Sequence, residues 1–165
     1  MTIPFRGETG RGTYFVTASM WMKKRLLQSQ RSAELLIEML YQYRSETNYS
    51  LHEFVVMPHH FHLLLTPLRP ITLEAAVGMI KGAFSYQAAS SFRFTKPIWQ
   101  PSFMDRRVRN HSEYQRFRTY IHENPVKAHL AAAAQEFPFS SASEKFELDP
   151  VPLWLKPLRW KHAAR

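Results

Sequence analysis

The sequence predicts a single α+β domain in which helices pack on a central antiparallel sheet. Strand and helix patterns follow one another in the order strand, helix, strand, strand, helix, short strand, helix. The length of 165 residues suits one domain, and a hydrophobic fraction of 45% is enough to build its core. Because the chain has no internal repeat or low-complexity linker, we predict a domain over residues 1–145 and a basic, proline-containing tail over 146–165.

The first half of the chain contains the predicted central strands and one helix. Residues 14–17 combine aromatic and β-branched side chains, which favours a strand, and the Gly- and Arg-containing residues before them indicate a flexible basic arm. Apolar residues recur at helical spacing over 30–43. Residues 54–57 and 61–66 are short apolar runs separated by Pro58, which predicts two antiparallel strands joined by a tight turn.

The second half is predicted to be mainly helical. Residues 72–90 favour a helix, with Thr72 as its N-terminal cap. Residues 98–100 are predicted to form a short strand. Ser112, followed by acidic and amide side chains, is predicted to open a last helix that runs to Pro125.

The composition excludes some classes of protein. The chain has no cysteine, so only His, Asn, Gln, Asp or Glu side chains could hold a metal ion. No apolar run is long enough to span a membrane, and no signal-peptide pattern is present. We therefore expect a cytoplasmic protein with no membrane partner.

The charge balance favours a polyanionic partner. Lys and Arg together number 22 against 13 for Asp and Glu, a formal net charge of +9. Such an excess favours nucleic acid because each neutralised phosphate releases counterions, although a merely basic protein fits the charge equally well. The candidate phosphate-binding residues lie around the start of the last helix and on the helix before it: Arg106, Arg107, Arg109, Arg116 and Lys81.

Two histidines flank an aromatic residue at the start of the strand predicted at residues 61–66. Side chains two apart in a strand point to the same face, so His60 and His62 would converge while Phe61 points into apolar packing. Two ligands of one metal ion require this arrangement. The alternative is that both histidines merely line a wet face of the sheet, but burying them without partners would be unfavourable.

The last helix carries a second pair of candidate residues. Tyr120 and Asn124 are one turn apart and lie along one flank of its apolar stripe. If the stripe packs on the sheet, a phenol and a carboxamide come near the two histidines, and Asn124 becomes a possible third ligand for a hard cation. The alternatives are a boundary tyrosine with its hydroxyl in water and an asparagine that caps the helix before Pro125.

Short motifs along most of the chain resemble those of the single-tyrosine HUH transposases of the insertion-sequence type. The match to the HUH motif is FVVMPHHFHLLLT, at residues 54–66. Within that family the pattern looks most like the REP-associated tyrosine transposases. The other matching segments are TYFVT (13–17), IKGAFS (80–85), WQPSFMDR (99–106), YIHENPVKAHL (120–130) and FPFSSA (137–142).

The resemblance implies a ferredoxin-like or RRM-like palm and a metal-dependent endonuclease and strand transferase. Its substrate would be single-stranded DNA folded into hairpins, cleaved through a 5′-phosphotyrosine intermediate. His60 and His62 match the HUH histidines, and Tyr120 matches the nucleophile. Asn124 matches a position where relatives carry a Gln or Asn ligand, and the cofactor would be Mg²⁺ or Mn²⁺. Relatives act as monomers or homodimers, and the sequence leaves both open.

Three residues depart from the family pattern. His59 stands where Asn or Asp is usual, Met104 where an aromatic residue is common, and His129 where Gly is common. None of them removes a catalytic group. We interpret His59, His111, His122 and His129 as surface histidines.

Two other functions fit parts of the pattern. A non-cleaving protein could recognise nucleic-acid hairpins with basic and aromatic surfaces alone, but it would not need the histidine pair, Tyr120 and Asn124 together. A metal-dependent hydrolase that uses water fits the histidine pair, but the sequence lacks a well-placed Asp or Glu to act as its base.

Overall fold

The computed structural model describes residues 12–157, which form a four-stranded antiparallel sheet with α-helices on both faces. The predicted α+β fold is confirmed. The basic arm predicted at the N-terminus lies, up to residue 11, outside the described residues. The elements are β1 (Thr13–Ser19), α1 (Gln30–Ser45), β2 (Tyr49–Met57), β3 (His60–Pro67), α2 (Leu73–Ser91), β4 (Met104–Val108) and α3 (His111–Lys127).

The strands lie in the order β2-β3-β1-β4, so β1 and β3 are central and β4 is an edge strand. Thr17 of β1 is opposite both His62 of β3 and Met104 of β4. Because directly opposite residues share a face, this register assigns the side chains of the sheet to its two faces. Helices α1 and α2 cover the face that contains Val16 and Leu63, and α3 packs on the other.

Side-chain caps define where the helices begin. Thr72 caps α2 as predicted, because its hydroxyl accepts a hydrogen bond from the Ala75 N–H at 3.1 Å. The predicted start of α3 at Ser112 is wrong by one residue. The carboxamide of Asn110 accepts from the Glu113 N–H at 2.9 Å, so Asn110 is the cap and the helix begins at His111.

The predicted end of α3 at Pro125 is also wrong, because the helix continues to Lys127 with Pro125 inside its last turns. A proline removes one donor and does not prevent the residues after it from donating. The Ala128 N–H still donates to the Asn124 carbonyl oxygen at 3.1 Å. Asn124 is therefore a residue inside the helix, and the C-terminal cap is Ala128.

The fourth strand is not where the sequence pattern predicts it. Within residues 98–100 only Trp99 pairs, through an isolated bridge to Met20, and β4 lies at Met104–Val108. Because β4 is at the edge of the sheet and mostly exposed, its sequence MDRRV has little of the apolar pattern that identifies buried strands.

The described part of the C-terminal segment is irregular but packed on the domain. Phe146 and Leu148 lie against the core, and Leu155 is buried. The Arg44 guanidinium donates to both carboxylate oxygens of Asp149, at 2.8 and 3.0 Å. The division of the chain at residue 145 stays a prediction. Among residues 12–157, no helix has the length and apolar character needed to cross a membrane.

Candidate active site

His60 and His62 project from the same face of β3, and their ring centroids are 4.7 Å apart. Phe61 points to the opposite face, where it is buried and packs on Trp99 with a centroid distance of 5.4 Å. The strand geometry therefore brings two imidazoles together on the side of the sheet that α3 covers.

His62 is a buried imidazole with one nitrogen engaged and the other without a partner. Its Nδ1 lies 2.7 Å from the hydroxyl oxygen of Thr17. Its Nε2 has no hydrogen-bond partner among the described residues. Burial, with His60 as a neighbour, lowers the pKa of His62 to about 3. The ring is therefore neutral, and its Nε2 can present a lone pair if Nδ1–H donates to Thr17.

His60 is tied to two neighbours. Its Nδ1 lies 3.1 Å from the Nδ1 of His59, and the side chain of Asn124 is near enough to the imidazole to oppose part of the lowering of its pKa. Burial and the adjacent His59 lower the pKa of His60 to about 4. The contact with Asn124 joins the C-terminal part of α3 to the histidine pair.

Tyr120 lies beside the histidine pair and remains accessible. Its ring centroid is 5.2 Å from that of His62 and 5.7 Å from that of Phe15, both in edge-on contacts. The residue is 43% exposed, so an incoming phosphate can reach the phenol. Tyr114, earlier on the same helix, is buried, and burial raises its pKa well above the usual range.

The residues of this site fit a divalent cation. Neutral imidazoles are the form that binds metal, and a buried nitrogen without a partner is satisfied by coordination. Among residues 12–157, no group of three or more His, Cys, Asp or Glu side chains is arranged to hold a metal ion. The residues that could hold such a cation are His60, His62 and Asn124 through its carboxamide oxygen.

The four candidate arginines lie together in one groove next to this site. The groove is also lined by Glu113 and Phe117, and Phe117 stacks on Phe15 at 4.6 Å between ring centroids. The ring of Phe15 in turn contacts Tyr120. We call this feature the arginine groove, and its cationic residues are Arg106, Arg107, Arg109 and Arg116.

Lys81 is separate from the arginine groove. It lies on α2, which packs on the other face of the sheet, and its ammonium donates to the carbonyl oxygens of Gln100 and Ser102 at 3.0 and 2.8 Å. Those bonds hold the loop that precedes β4. DNA binding by Lys81 stays a prediction. In the structure its ammonium stabilises the loop before β4 through these two hydrogen bonds.

Comparison with known proteins identifies the family. The sequence model described as "Transposase IS200 like" matches residues 12–124, which include the histidine pair, Tyr120 and Asn124. The chain belongs to the IS200-like transposase family. The family resemblance that the sequence motifs predict is thereby confirmed.

One known relative and two solved structures resemble this chain. The REP-associated tyrosine transposase of Escherichia coli K12 is 28% identical over 151 residues, which are 90% of this chain and 84% of that protein. A structure of a REP-associated tyrosine transposase bound to a REP hairpin matches with a TM-score of 0.74 and 25% identity, over 97% of this chain and 91% of that one. A crystal structure from Deinococcus radiodurans R1, described as a candidate transposase, shares the fold at 22% identity and a TM-score of 0.53, over 80% of this chain and 100% of that one.

A buried carboxylate that the sequence analysis missed holds the transposase's α3 against the sheet. Glu53 of β2 accepts hydrogen bonds from Arg118 Nε at 2.8 Å and His122 Nε2 at 2.7 Å, both on α3, and from the Ser141 hydroxyl. The interpretation of His122 as a surface histidine is therefore wrong. No local pattern marks Glu53, because its partners are distant in sequence and meet it only in the folded chain.

Removing the Glu53 carboxylate should destabilise the domain. Glu53→Ala leaves Arg118, His122 and Ser141 without their acceptor, so we expect the free energy of unfolding to fall by roughly 2–3 kcal/mol. Glu53→Gln keeps a hydrogen-bond acceptor, so its free energy of unfolding should fall by less. Chemical denaturation at neutral pH measures both. Glu38→Ala removes an exposed glutamate on α1 and is the control, and an equal loss there would contradict the assignment.

The stabilisation of the fold by the Glu53 carboxylate should depend on pH. Burial alone would raise the pKa of Glu53, but hydrogen bonds from His122, Ser141 and Arg118 outweigh it and hold the pKa below the ordinary value of 4.5. A carboxyl group whose pKa is lowered by folding stabilises the fold at pH values above its ordinary pKa. This stabilisation is lost as the pH falls through the lowered pKa. The stability difference between wild type and Glu53→Ala should therefore shrink on acidification below pH 4.5.

Proposed function

We propose that this transposase cleaves and rejoins single-stranded, hairpin-forming DNA of the REP type with Tyr120 as the nucleophile. The observation that carries the proposal is the position of Tyr120, whose exposed phenol lies against the His62 ring beside His60 and Asn124. A protein that only bound hairpins would have no use for this combination of groups. The relative whose structure contains a REP hairpin supports the substrate class.

The proposed reaction exchanges one phosphate ester for another. The phenolic oxygen of Tyr120 loses its proton to solvent and attacks the scissile phosphorus, and the P–O bond to the 3′ oxygen breaks as that oxygen takes up a proton. The products are a 5′-phosphotyrosine and a free 3′-hydroxyl. A 3′-hydroxyl on the same or another strand can then attack the phosphotyrosine and restore Tyr120. Because the ester bond energy is kept, no nucleotide cofactor is needed.

We assign His60, His62 and Asn124 as the residues that would hold Mg²⁺ or Mn²⁺. When bound there, the cation would polarise the scissile phosphate and stabilise charge that develops on it. The chain's own contribution is to keep both imidazoles neutral and to orient them. Thr17 orients His62, and α3 carries Asn124 and Tyr120 to the same place.

The proposal is tested by looking for a covalent adduct between the protein and DNA. The protein is incubated with a single-stranded DNA hairpin carrying flanking unpaired nucleotides, with Mn²⁺ or Mg²⁺, and the products are separated on a denaturing gel. We expect a protein–DNA species and a shortened strand with a free 3′-hydroxyl. Hairpin binding without any adduct would support the non-cleaving alternative, and cleavage without an adduct would support a hydrolase that uses water.

The arginine groove should supply much of the DNA affinity. Replacing Arg106 and Arg116 with Ala should weaken binding to every hairpin sequence, because contacts to phosphate carry no base information. The slope of log affinity against log salt should fall by about 0.7 for each lost contact to a single strand. Fluorescence anisotropy over a salt series measures this. Arg31→Ala, on the opposite face of the sheet, is the matched control and should leave the slope unchanged.

A further inference from the structure

A second groove lies beside the C-terminal end of β4 and shares two arginines with the arginine groove. Gly12, Val108 and the side chains of Arg107, Arg109 and Trp154 line it. Trp154 is 60% exposed, whereas the next residue, Leu155, is buried. A single exposed aromatic residue is common on protein surfaces. The two arginines that share this groove with the indole are what indicate a ligand.

The Trp154 groove is built by the fold. Trp154 belongs to a short 3-10 helix, Leu153–Leu155, and the Leu155 carbonyl oxygen lies 2.9 Å from Nδ1 of His111, so the turn is attached to the start of α3. Gly12 also lines this groove. A Cβ atom at residue 12 would come within 3.2 Å of the Arg107 Nε, so the glycine leaves room for the guanidinium beside it.

The two grooves share two lining residues. Arg107 and Arg109 line both of them, and the arginine groove extends to Phe117. From Phe117, ring contacts lead through Phe15 to Tyr120. The lining of the two grooves thus combines aromatic and cationic side chains, and this composition suits a single strand, whose phosphates pair with cations while its bases stack on rings.

We propose that Trp154, flanked by Arg107 and Arg109, is a stacking site for an unpaired base of a DNA strand that runs from the Tyr120 site along the arginine groove. The inference rests on the proposed function, because it assumes that single-stranded DNA is the substrate. It adds a base contact remote from the reacting phosphate. The carboxylate of Glu113 does not oppose it, since that group accepts from the Arg109 backbone N–H at 2.8 Å and lies 3.8 Å from the Arg116 guanidinium.

The experiment compares Trp154→Ala, Trp154→Phe and wild type on one DNA hairpin with oligothymidine extensions of increasing length, placed on either the 5′ or the 3′ side. Wild-type affinity should rise in a step once the extension reaches Trp154. Trp154→Ala should lose that step, a loss on the order of 10-fold for long extensions, with short extensions unaffected. Trp154→Phe should keep most of the step in affinity. Leu153→Ala, which removes the neighbouring 80% exposed side chain, is the matched control and should behave as wild type.

Two results would overturn the stacking site. One is a Trp154→Ala protein whose affinity matches wild type at every extension length. The other is an equal loss for short and long extensions, which would indicate a general disturbance. The adduct assay on the short-extension hairpin separates this inference from the proposed function: an adduct without a length step rejects only the stacking site, and a length step without an adduct rejects only the cleavage chemistry.

Discussion

Replacing Tyr120 with phenylalanine is expected to abolish strand cleavage and the covalent protein–DNA adduct together, by roughly 1,000-fold or more. The change removes only the phenolic oxygen that the proposed reaction needs. The ring contacts with His62 and Phe15 do not depend on that oxygen, so the fold and hairpin binding should persist. Adduct formation on a denaturing gel and binding by anisotropy measure the two effects separately.

The matched control for the nucleophile is Tyr114→Phe. Tyr114 is on the same helix but is 2% exposed, so a phosphate has no access to its hydroxyl. That variant should keep most of its activity. Peptide mapping of the trapped adduct should find the nucleotide on the peptide that contains Tyr120. An adduct that maps to Tyr114, or that persists in Tyr120→Phe, would show that the nucleophile is misassigned.

The second large effect is expected at the histidine pair. His62→Ala removes the buried Nε2 that has no protein partner among the described residues, and we expect cleavage to fall by at least about 100-fold. His60→Ala should have a similar effect, and a chelator should stop the wild type. Hairpin binding should change little, because the arginine groove is intact in both variants.

A direct measurement of metal binding and a control variant make this prediction specific to metal binding. Calorimetric titration with Mn²⁺ should detect a site in the wild type and none in His62→Ala, independently of any cleavage. His129→Ala is the control, because His129 is an exposed histidine just beyond α3. Full activity in His62→Ala, or equal Mn²⁺ affinity in both proteins, would remove His62 from the ligand set.

Local spacing predicted the parts of the site that belong to one element. The strand period of two placed His60 and His62 on one face, and the helix period placed Tyr120 and Asn124 on one flank. Apolar and aromatic runs predicted β1, β3 and residues 54–57 of β2, but not the first five residues of β2, which begins at Tyr49. Element ends were less predictable, as the cap at Asn110 and the continuation of α3 past Pro125 illustrate.

The remaining features depend on segments that are far apart in sequence. The Thr17 contact with His62 follows from the register of β1 on β3, and the Glu53 contacts with Arg118 and His122 follow from the packing of α3 on β2. These contacts join remote parts of the chain, so no periodic pattern encodes them.

The sequence by itself therefore determined the α+β class, the family motifs and the candidate side chains of the site, because each is a property of residue type and near-neighbour spacing. Only the tertiary structure decided which side chains share a surface. It put Arg106 and Arg116 in one groove and Lys81 on the other side of the sheet, and it joined that groove to Trp154. The physical reason is that sheet register and helix packing are set by burial of the whole core, to which every element contributes at once.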